Sequence, residues 1–475
     1  MINFENLTVS PPQLVFEGGQ QEKKSSHGVF SYRIPALLLT QSGNLLAAAD
    51  QRMEHHFDWG DIRTVIRRSQ DKGTTWSPIT TVVDLVDNPN PATDEEKAAF
   101  TIDTALLQDP SSQRIFALYD MYPEGRGIFG MAEQFEVAHT RIGEKHYLNL
   151  YCNEKAQVYT IRENGQVFSP ENEPTDFFVT IESTQAPYSD LGNLYQEGKY
   201  LGNIFHTSNQ TAPFRVAKTS YIWLSHSDDD GQTWSCPRDI TAQLRTPQMK
   251  FLGVSPGAGL VLKYGPYAGR FIIPAYTTNF VSHLTGSQSS RVIYSDDAGQ
   301  TWQIGQAVND HRKLSTEEII HSETMDNELA QNTESVAVQL KNGDIKLFMR
   351  NLNGHLQVAT SNDGGASWEN TIQEYPNITD VYVQLSALQI EESNEEYILL
   401  ANAEGPGRTN GNLRIAKVEK NGDLTWLPSH LIQEGEFAYN SLQQLSANEF
   451  ILLYEHRSEE QNPFSIYARK LTFSS

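Results

Sequence analysis

Cysteine is nearly absent from this 475-residue chain. Its two copies, Cys152 and Cys236, lie 84 positions apart with no second pair, which excludes a disulfide framework and a cysteine-rich zinc site and predicts two small buried apolar side chains. No run of about 18 apolar residues occurs, so no membrane-spanning helix is expected. The opening Met1-Ile2-Asn3-Phe4-Glu5 has neither the basic nor the apolar stretch of an export signal. Positive charge is scarce as well. With 36 Lys+Arg against 59 Asp+Glu the formal charge is −23, and such a chain has no general field to hold nucleic acid or an anionic membrane. An anionic ligand has to be met by a local cluster of cations. What remains, 38% hydrophobic and 20% charged, suits a soluble globular protein with one large core or two to three domains.

One turn pattern recurs. Ser69-Gln70-Asp71-Lys72-Gly73-Thr74-Thr75-Trp76 fits S-x-D-x-G-x-[TS]-W, as do 227–234, 295–302 and 361–368, and a degenerate copy ends at Trp426. Each full copy follows a strand-like run, such as Tyr221-Ile222-Trp223-Leu224, and reads as a hairpin turn. The aspartate accepts from backbone N–H groups two residues on, the glycine permits positive φ, and the tryptophan packs back over the turn. A calcium loop is the alternative for Asp228-Asp229-Asp230-Gly231, but the acidic twelfth position of an EF-hand is missing. Strands with a repeated turn at near-constant spacing predict a β-propeller. The tryptophans at 234, 302, 368 and 426 are 68, 66 and 58 residues apart, whereas Trp76 and Trp234 are 158 apart. Even with one blade lacking the turn between those two copies, residues are left over. They predict a small β-rich insertion at 122–219, with strand-like runs at 158–161, 177–181 and 200–205. Within it Gly125-Arg126-Gly127-Ile128-Phe129-Gly130 matches a dinucleotide fingerprint, but no βαβ pattern surrounds it.

Near the start stands Ser31-Tyr32-Arg33-Ile34-Pro35, followed by the apolar Ala36-Leu37-Leu38-Leu39. This reads as a strand that opens at the proline and carries Arg33 at its mouth. Asp58 follows 25 residues later, in Glu54-His55-His56-Phe57-Asp58-Trp59. A metal site at His55, His56, Asp58 and Asp61 is disfavoured, because adjacent histidines point to opposite faces of a strand.

An R-I-P strand followed by these boxes resembles the bacterial sialidases, or neuraminidases, and comes closest to the large sialidases of streptococci. The resemblance runs from about Arg33 to Tyr454 and includes Tyr119-Asp120-Met121-Tyr122-Pro123-Glu124-Gly125 and Gly435-Glu436-Phe437-Ala438-Tyr439-Asn440-Ser441. It implies an all-β, six-bladed propeller, formed by 1–121 and 220–475 with 122–219 inserted, that removes terminal sialic acids from glycans with retention. Carried over by position, it implies carboxylate-binding arginines at Arg33, Arg350 and Arg408, a nucleophile at Tyr439 activated by Glu334, and an acid/base at Asp58. Glu455 is implied as the brace of Arg33. Weaker matches put Arg52, Asp103, Ile128, Phe129, Tyr276 and Gln288 along the pocket for the N-acetyl and glycerol groups.

The chemistry suits those residue types. A ligand carboxylate on the anomeric carbon calls for planar, bidentate donors, hence arginine rather than lysine. A neutral phenol whose proton passes to a carboxylate approaches that centre without the repulsion an anionic nucleophile would meet. Nearby arginines are expected to lower the phenol's pKa, and Trp59 is expected to keep Asp58 protonated by desolvation. The reading is an exo-α-sialidase without metal or cofactor, acting through a sialyl-tyrosine intermediate on sialylated glycans, as a monomer that neither binds nucleic acid nor inserts into membrane. Two alternatives stay open: an intramolecular trans-sialidase releasing anhydro-sialic acid, and a non-catalytic sialoglycan-binding propeller. Relatives are usually secreted or on the cell surface, so this chain is expected to be a trimmed catalytic domain or an unexported enzyme.

Overall fold

Strands buried along their whole length, such as Leu45–Arg52, Phe271–Asn279 and Asn332–Gln339, carry no alternation of polar and apolar residues, because both of their faces are covered. The computed structural model describes residues 2–21, 23–86, 98–154, 156–206, 212–315 and 317–474. Its strands form a closed ring of six four-stranded antiparallel blades. Blade I is Ser31–Leu39, Leu45–Arg52, Ile62–Ser69 and Thr80–Val83. Blade II is Phe100–Gln108, Ile115–Tyr122, Tyr221–Ser227 and Arg238–Asp239. Blade III starts with Met249–Val254, continues with Phe271–Asn279 and Ser289–Ser295, and ends with Gln303–Ile304. Blade IV comprises Asn332–Gln339, Ile345–Asn351, His355–Ser361 and Gln373–Thr379. Blade V comprises Ser386–Glu392, Glu395–Ala403, Thr409–Val418 and Leu424–Trp426.

Blade VI closes the ring differently. Asn440–Ser446, Glu449–His456 and Ser465–Ser474 supply three strands, and the fourth is Asn3–Val9, paired antiparallel with Ser465–Ser474. The two ends of the chain are therefore held by one ladder. This also explains why blade VI lacks a turn motif, since no chain links its third strand to its fourth.

Between neighbouring blades lie six apolar clusters, one per interface. In blade IV, Ala337, Leu347 and Ala359 face blade III while Val336, Phe348 and Val358 face blade V. The ladder registers Ala337 with Leu347 and Val336 with Phe348, so the two-residue period sorts side chains between two cores rather than between core and water.

The repeated turns join third to fourth strands. Copies one and two sit in adjacent blades I and II, so no blade lacking the turn lies between them and the excess length all falls within blade II. There the chain leaves after Tyr122 and builds a separate eight-stranded sheet, with strands from His139–Ile142 to Phe214–Arg215, before returning at Tyr221. Leu150, Ile161, Val179 and Leu194 from this sheet join the cluster between blades I and II. Cys152 and Cys236 are free and only half-buried at its edge, rather than in the interior as expected.

The turn aspartate reaches further than expected, three and four residues on rather than two. Asp229 Oδ1 accepts from Gln232 N (3.0 Å) and Thr233 N (2.8 Å), and Oδ2 accepts from the Thr233 hydroxyl. The box glycines have positive φ, and a Cβ on each would strike the preceding blade: Gly231 against Leu46, Gly299 against Phe116, Gly365 against Val292. Each box thus both turns the chain and seats one blade on the last.

Asp363 in blade IV accepts from Ser361 Oγ, Ser367 N and Ser367 Oγ. Asp363→Ala is expected to cost about 1–3 kcal/mol, lowering the thermal midpoint by about 1 °C per kcal/mol for a chain of this length. Because these turns lie at the end of the ring opposite the cleft described next, the activity of the folded fraction should stay unchanged in the same samples.

Candidate active site

In an antiparallel meander the inner strands begin, and the second strands end, at the same end of the ring axis. Residues at those termini converge from blades far apart in sequence. Three inner strands are also bulged there. The ladder shifts between Arg33 and Ala36, where Ile34 has φ 57°; between Ile102 and Ala105, where Asp103 has φ 63°; and between Asn332 and Ser335, beside Glu334. A bulge re-aims side chains without ending the strand. Pro35 therefore marks a bulge inside a strand that already began at Ser31, not the strand's start.

Glu455, at the end of the second strand of blade VI, is fully buried and accepts four hydrogen bonds. Arg33 donates from Nε (2.9 Å) and Nη2 (3.1 Å), and the N–H groups of Ile34 (2.8 Å) and Tyr439 (3.2 Å) supply the rest. Arg33 is thereby fixed as a planar fork, and the adjacent carboxylates hold its pKa above the usual guanidinium range against the pull of burial.

Tyr439 immediately precedes the inner strand of blade VI. Its hydroxyl donates to Glu334, 2.8 Å from both carboxylate oxygens, and accepts from Arg350 Nη1 at 2.9 Å. Arg350 Nη1 also donates to Glu334 Oε2 at 2.5 Å. Arg33 and Arg408 place their guanidinium carbons 5.3 and 5.7 Å from the centre of the Tyr439 ring. Three cations surround one phenol. Even so its pKa lies well above 10, because burial and the Glu334 charge outweigh Arg350 and Arg408, contrary to the lowering expected from the sequence.

Arg52 is fully buried and works behind the cleft rather than along its wall. Nη1 donates to the carbonyls of His56 (2.7 Å) and Phe57 (3.0 Å) and to Asp58 Oδ1 (2.7 Å), while Nη2 reaches Asp50 (3.4 Å). It pins the turn that carries Asp58. Burial alone would raise the Asp58 carboxyl, but Arg52 and Arg33 override it and hold the pKa below the ordinary carboxylate value. The expected protection by Trp59 is therefore overturned: that ring stacks on Phe57 instead, centroids 4.6 Å apart and nearly parallel. His55 and His56 both pack near Phe57, at 5.0 and 4.5 Å, in a turn rather than on opposite faces of a strand.

The remaining expected pocket residues divide. Asp103 lies between the blade I and blade II carboxylates, its N–H directed to Asp50 Oδ1 (3.3 Å), and burial together with Asp120 and Asp50 raises its carboxyl well above the usual range. Ile128 and Phe129 form a short 3-10 turn on the rim, held where His283 Nε2 donates to the Ile128 carbonyl (2.9 Å). Tyr276 is buried in the apolar floor, its ring against Phe251 at 4.9 Å. Gln288 is also buried, and donates to the Leu284 carbonyl and to the Tyr382 hydroxyl (3.1 Å).

Tyr382 was not read from the sequence. It has φ 58°, its ring lies 4.0 Å from the Arg350 guanidinium carbon, and its carbonyl accepts from Arg408 Nη2 at 3.3 Å, so one residue steadies two arginines. Nothing in Asp380-Val381-Tyr382 signals this. Asp50 and Asp120 were also unread. Asp120 Oδ1 accepts from Val254 N at 2.8 Å, but Oδ2 is buried with no hydrogen-bond partner among the described residues, and burial raises this carboxyl strongly.

A closed six-bladed propeller with braced arginines around a phenol–carboxylate pair is the class these features define. The BNR repeat-like domain family matches residues 203–451, just over half of the chain, and the chain belongs to that family. It is similar to the anhydrosialidase of Macrobdella decora, 27% identical over 89% of this chain and 58% of that protein. It is 28% identical to sialidase B of Streptococcus pneumoniae over 94% of this chain and 64% of that protein. The chain therefore spans roughly three-fifths of the length of these two relatives. Among solved structures, the intramolecular trans-sialidase of Ruminococcus gnavus in complex with oseltamivir carboxylate superposes with a TM-score of 0.77, at 24% identity over 96% of both chains. The resemblance to bacterial sialidases, and the six-bladed fold it implied, are borne out.

Asp120 yields a pH prediction. An acid whose folded pKa is raised contributes stability below its unfolded value of about 3.9 and loses it as pH rises toward the folded value. Asp120→Asn, which keeps an acceptor for Val254 N, should remove that loss. Thermal midpoints of parent and variant are expected to converge near pH 4 and to separate in the variant's favour as pH rises toward 8.

Proposed function

We propose that this protein is an exo-acting sialidase that releases terminal sialic acids from glycans. The observation that carries the reading is the phenol of Tyr439, bonded to Glu334 and Arg350 beneath two further arginines. Arg33, Arg350 and Arg408 supply fork-shaped donors for the substrate carboxylate. The raised Tyr439 pKa suits a nucleophile that rests as the neutral phenol. Its proton passes to Glu334 as the oxygen bonds to the anomeric carbon, and Arg350 steadies the charge that develops. Asp58 gives a proton to the departing glycosidic oxygen. As a carboxylate it then draws a proton from water, which attacks the sialyl-tyrosine carbon, and Glu334 returns its proton to Tyr439. A carbohydrate-binding protein without catalysis needs the arginines but not a phenol bonded to a carboxylate, which disfavours that alternative.

Arg52 and Arg33 favour the ionised form of Asp58 against the pull of burial. A substrate carboxylate on Arg33 relaxes part of that hold, so the proton needed for leaving-group departure is taken up with the substrate. The high-pH limb of kcat, which reports the complex, should then lie above that of kcat/KM, which reports the free enzyme.

A second reading is favoured by the anhydrosialidase of Macrobdella decora and the Ruminococcus gnavus intramolecular trans-sialidase among the similar proteins. A hydroxyl of the sialyl group itself would then replace water in the second step and yield an anhydro product. NMR of the product released from sialyllactose separates the two readings.

Asp58→Ala is expected to lower kcat/KM for sialyllactose by about 10²–10⁴-fold, and distinctly less for 4-methylumbelliferyl sialoside, whose phenolic leaving group departs without a full proton. Tyr439→Phe should depress both substrates alike. Equal losses in Asp58→Ala would make that residue a brace for the arginines and require another acid.

The inserted segment 122–219 is proposed to shape the cleft rim, through residues such as Ile128 and Phe129, without carrying chemistry. Replacing 140–210 by a short linker should then change preference among glycans and keep turnover of the aryl sialoside. A folded variant with no turnover would assign chemistry to the insertion.

A further inference from the structure

Trp59 is left without the role first read for it. Its ring stacks on Phe57 at 4.6 Å with a 3° angle between planes and makes a T-shaped contact with Phe129 at 5.9 Å. The Arg126 guanidinium lies 5.4 Å from its centre. Phe57 is 43% exposed and Phe129 56%, although large aromatic side chains ordinarily find burial. These rings adjoin Asp58, whose side chain is itself 43% exposed, and the Arg52 guanidinium that holds Asp58 also holds the carbonyls of His56 and Phe57. The backbone that carries Phe57 and the Asp58 carboxyl are therefore set in place by one buried group.

We propose that the exposed rings of Phe57 and Phe129, with Trp59 packed between them as their support, form a platform for the sugar released with the leaving oxygen, stacking its apolar face while Asp58 reaches the glycosidic bond. This rests on the function proposed above. An acid that protonates the departing oxygen sits within hydrogen-bond reach of it, so the leaving sugar lies beside Asp58, where these rings are exposed. A hexose has one face lined with C–H groups and a rim of hydroxyls. An aromatic surface with the Arg126 guanidinium over the supporting Trp59 ring and the imidazoles of His55 and His56 beside Phe57 matches both parts.

The test uses the full chain carrying Tyr439→Phe, which removes turnover, and measures Kd for 3′-sialyllactose and for methyl α-sialoside, which has no second sugar. Phe57→Ala and Trp59→Ala are each expected to weaken sialyllactose by about 3- to 10-fold and to leave the methyl sialoside unchanged, with saturation transfer to the galactose protons lost in parallel. Phe57 is more exposed and stands outside the apolar floor, so its variant keeps the test decisive if Trp59→Ala does not fold. Equal weakening of both ligands, or none of either, overturns the platform while leaving the sialidase reading intact. If the Tyr439→Phe protein binds neither sialoside before any ring is removed, the sialidase reading falls and the platform with it.

Discussion

The Glu455 carboxylate is the constraint on which the cleft depends. It is fully buried, yet all four hydrogen bonds it accepts come from protein groups, two from the Arg33 guanidinium and two from backbone N–H groups beside Arg33 and at Tyr439. Removing one partner of such a buried pair costs about 3–5 kcal/mol because the other charge is stranded. Here it would also release the backbone that orients the phenol. A single side chain thus sets the relation between blade I, which carries Arg33, and blade VI, which carries the nucleophile candidate Tyr439.

The same logic repeats around the cleft. In a chain of net charge −23, the clustered arginines are tolerable because each is held by acceptors on its inner side: Arg33 by Glu455, Arg52 by Asp50, Asp58 and two carbonyls, Arg350 by Glu334, Arg408 by the Tyr382 carbonyl. Their orientation is settled before any ligand arrives, which is the condition under which fixed dipoles and charges stabilise a developing charge without reorganising. The electrostatic cost is deposited in the acids beneath, where Asp50, Asp103 and Asp120 are all pushed upward by burial.

Much of this was legible because it was repeated or because it involved rare residue combinations. The last four turn motifs, at near-constant spacing, mark a propeller, the count of six blades came from the family resemblance, and the long interval before Trp234 marks where the chain departs from the pattern. Charge signs and register were less legible. The bulges at Arg33, Asp103 and Glu334 leave no composition signal apart from Pro35, since they depend on how two strands pair. The direction of the Tyr439 pKa shift follows from a balance of burial against charges contributed by blades II, IV and V, and that of Asp58 from Arg52 and Arg33 of its own blade, whose approach to it is set by folding and not by spacing in the sequence. Tyr382 escaped notice because its work is done by a carbonyl and a ring face, neither of which marks a motif.

The ladder between Asn3–Val9 and Ser465–Ser474 has a consequence for how the molecule is made. Synthesis delivers Arg33 long before Glu455, 422 residues later in the chain, and blade VI cannot be completed until its last strand has emerged to meet the first. Blades II to V can assemble in order as they leave the ribosome. The ring, and with it the cleft, closes only at the end. A chain that has not yet gained Ser465–Ser474 would therefore hold most of its blades, and the contacts within them such as Arg52–Asp58 and Glu334–Arg350, while the brace between blades I and VI waits for the ring to close.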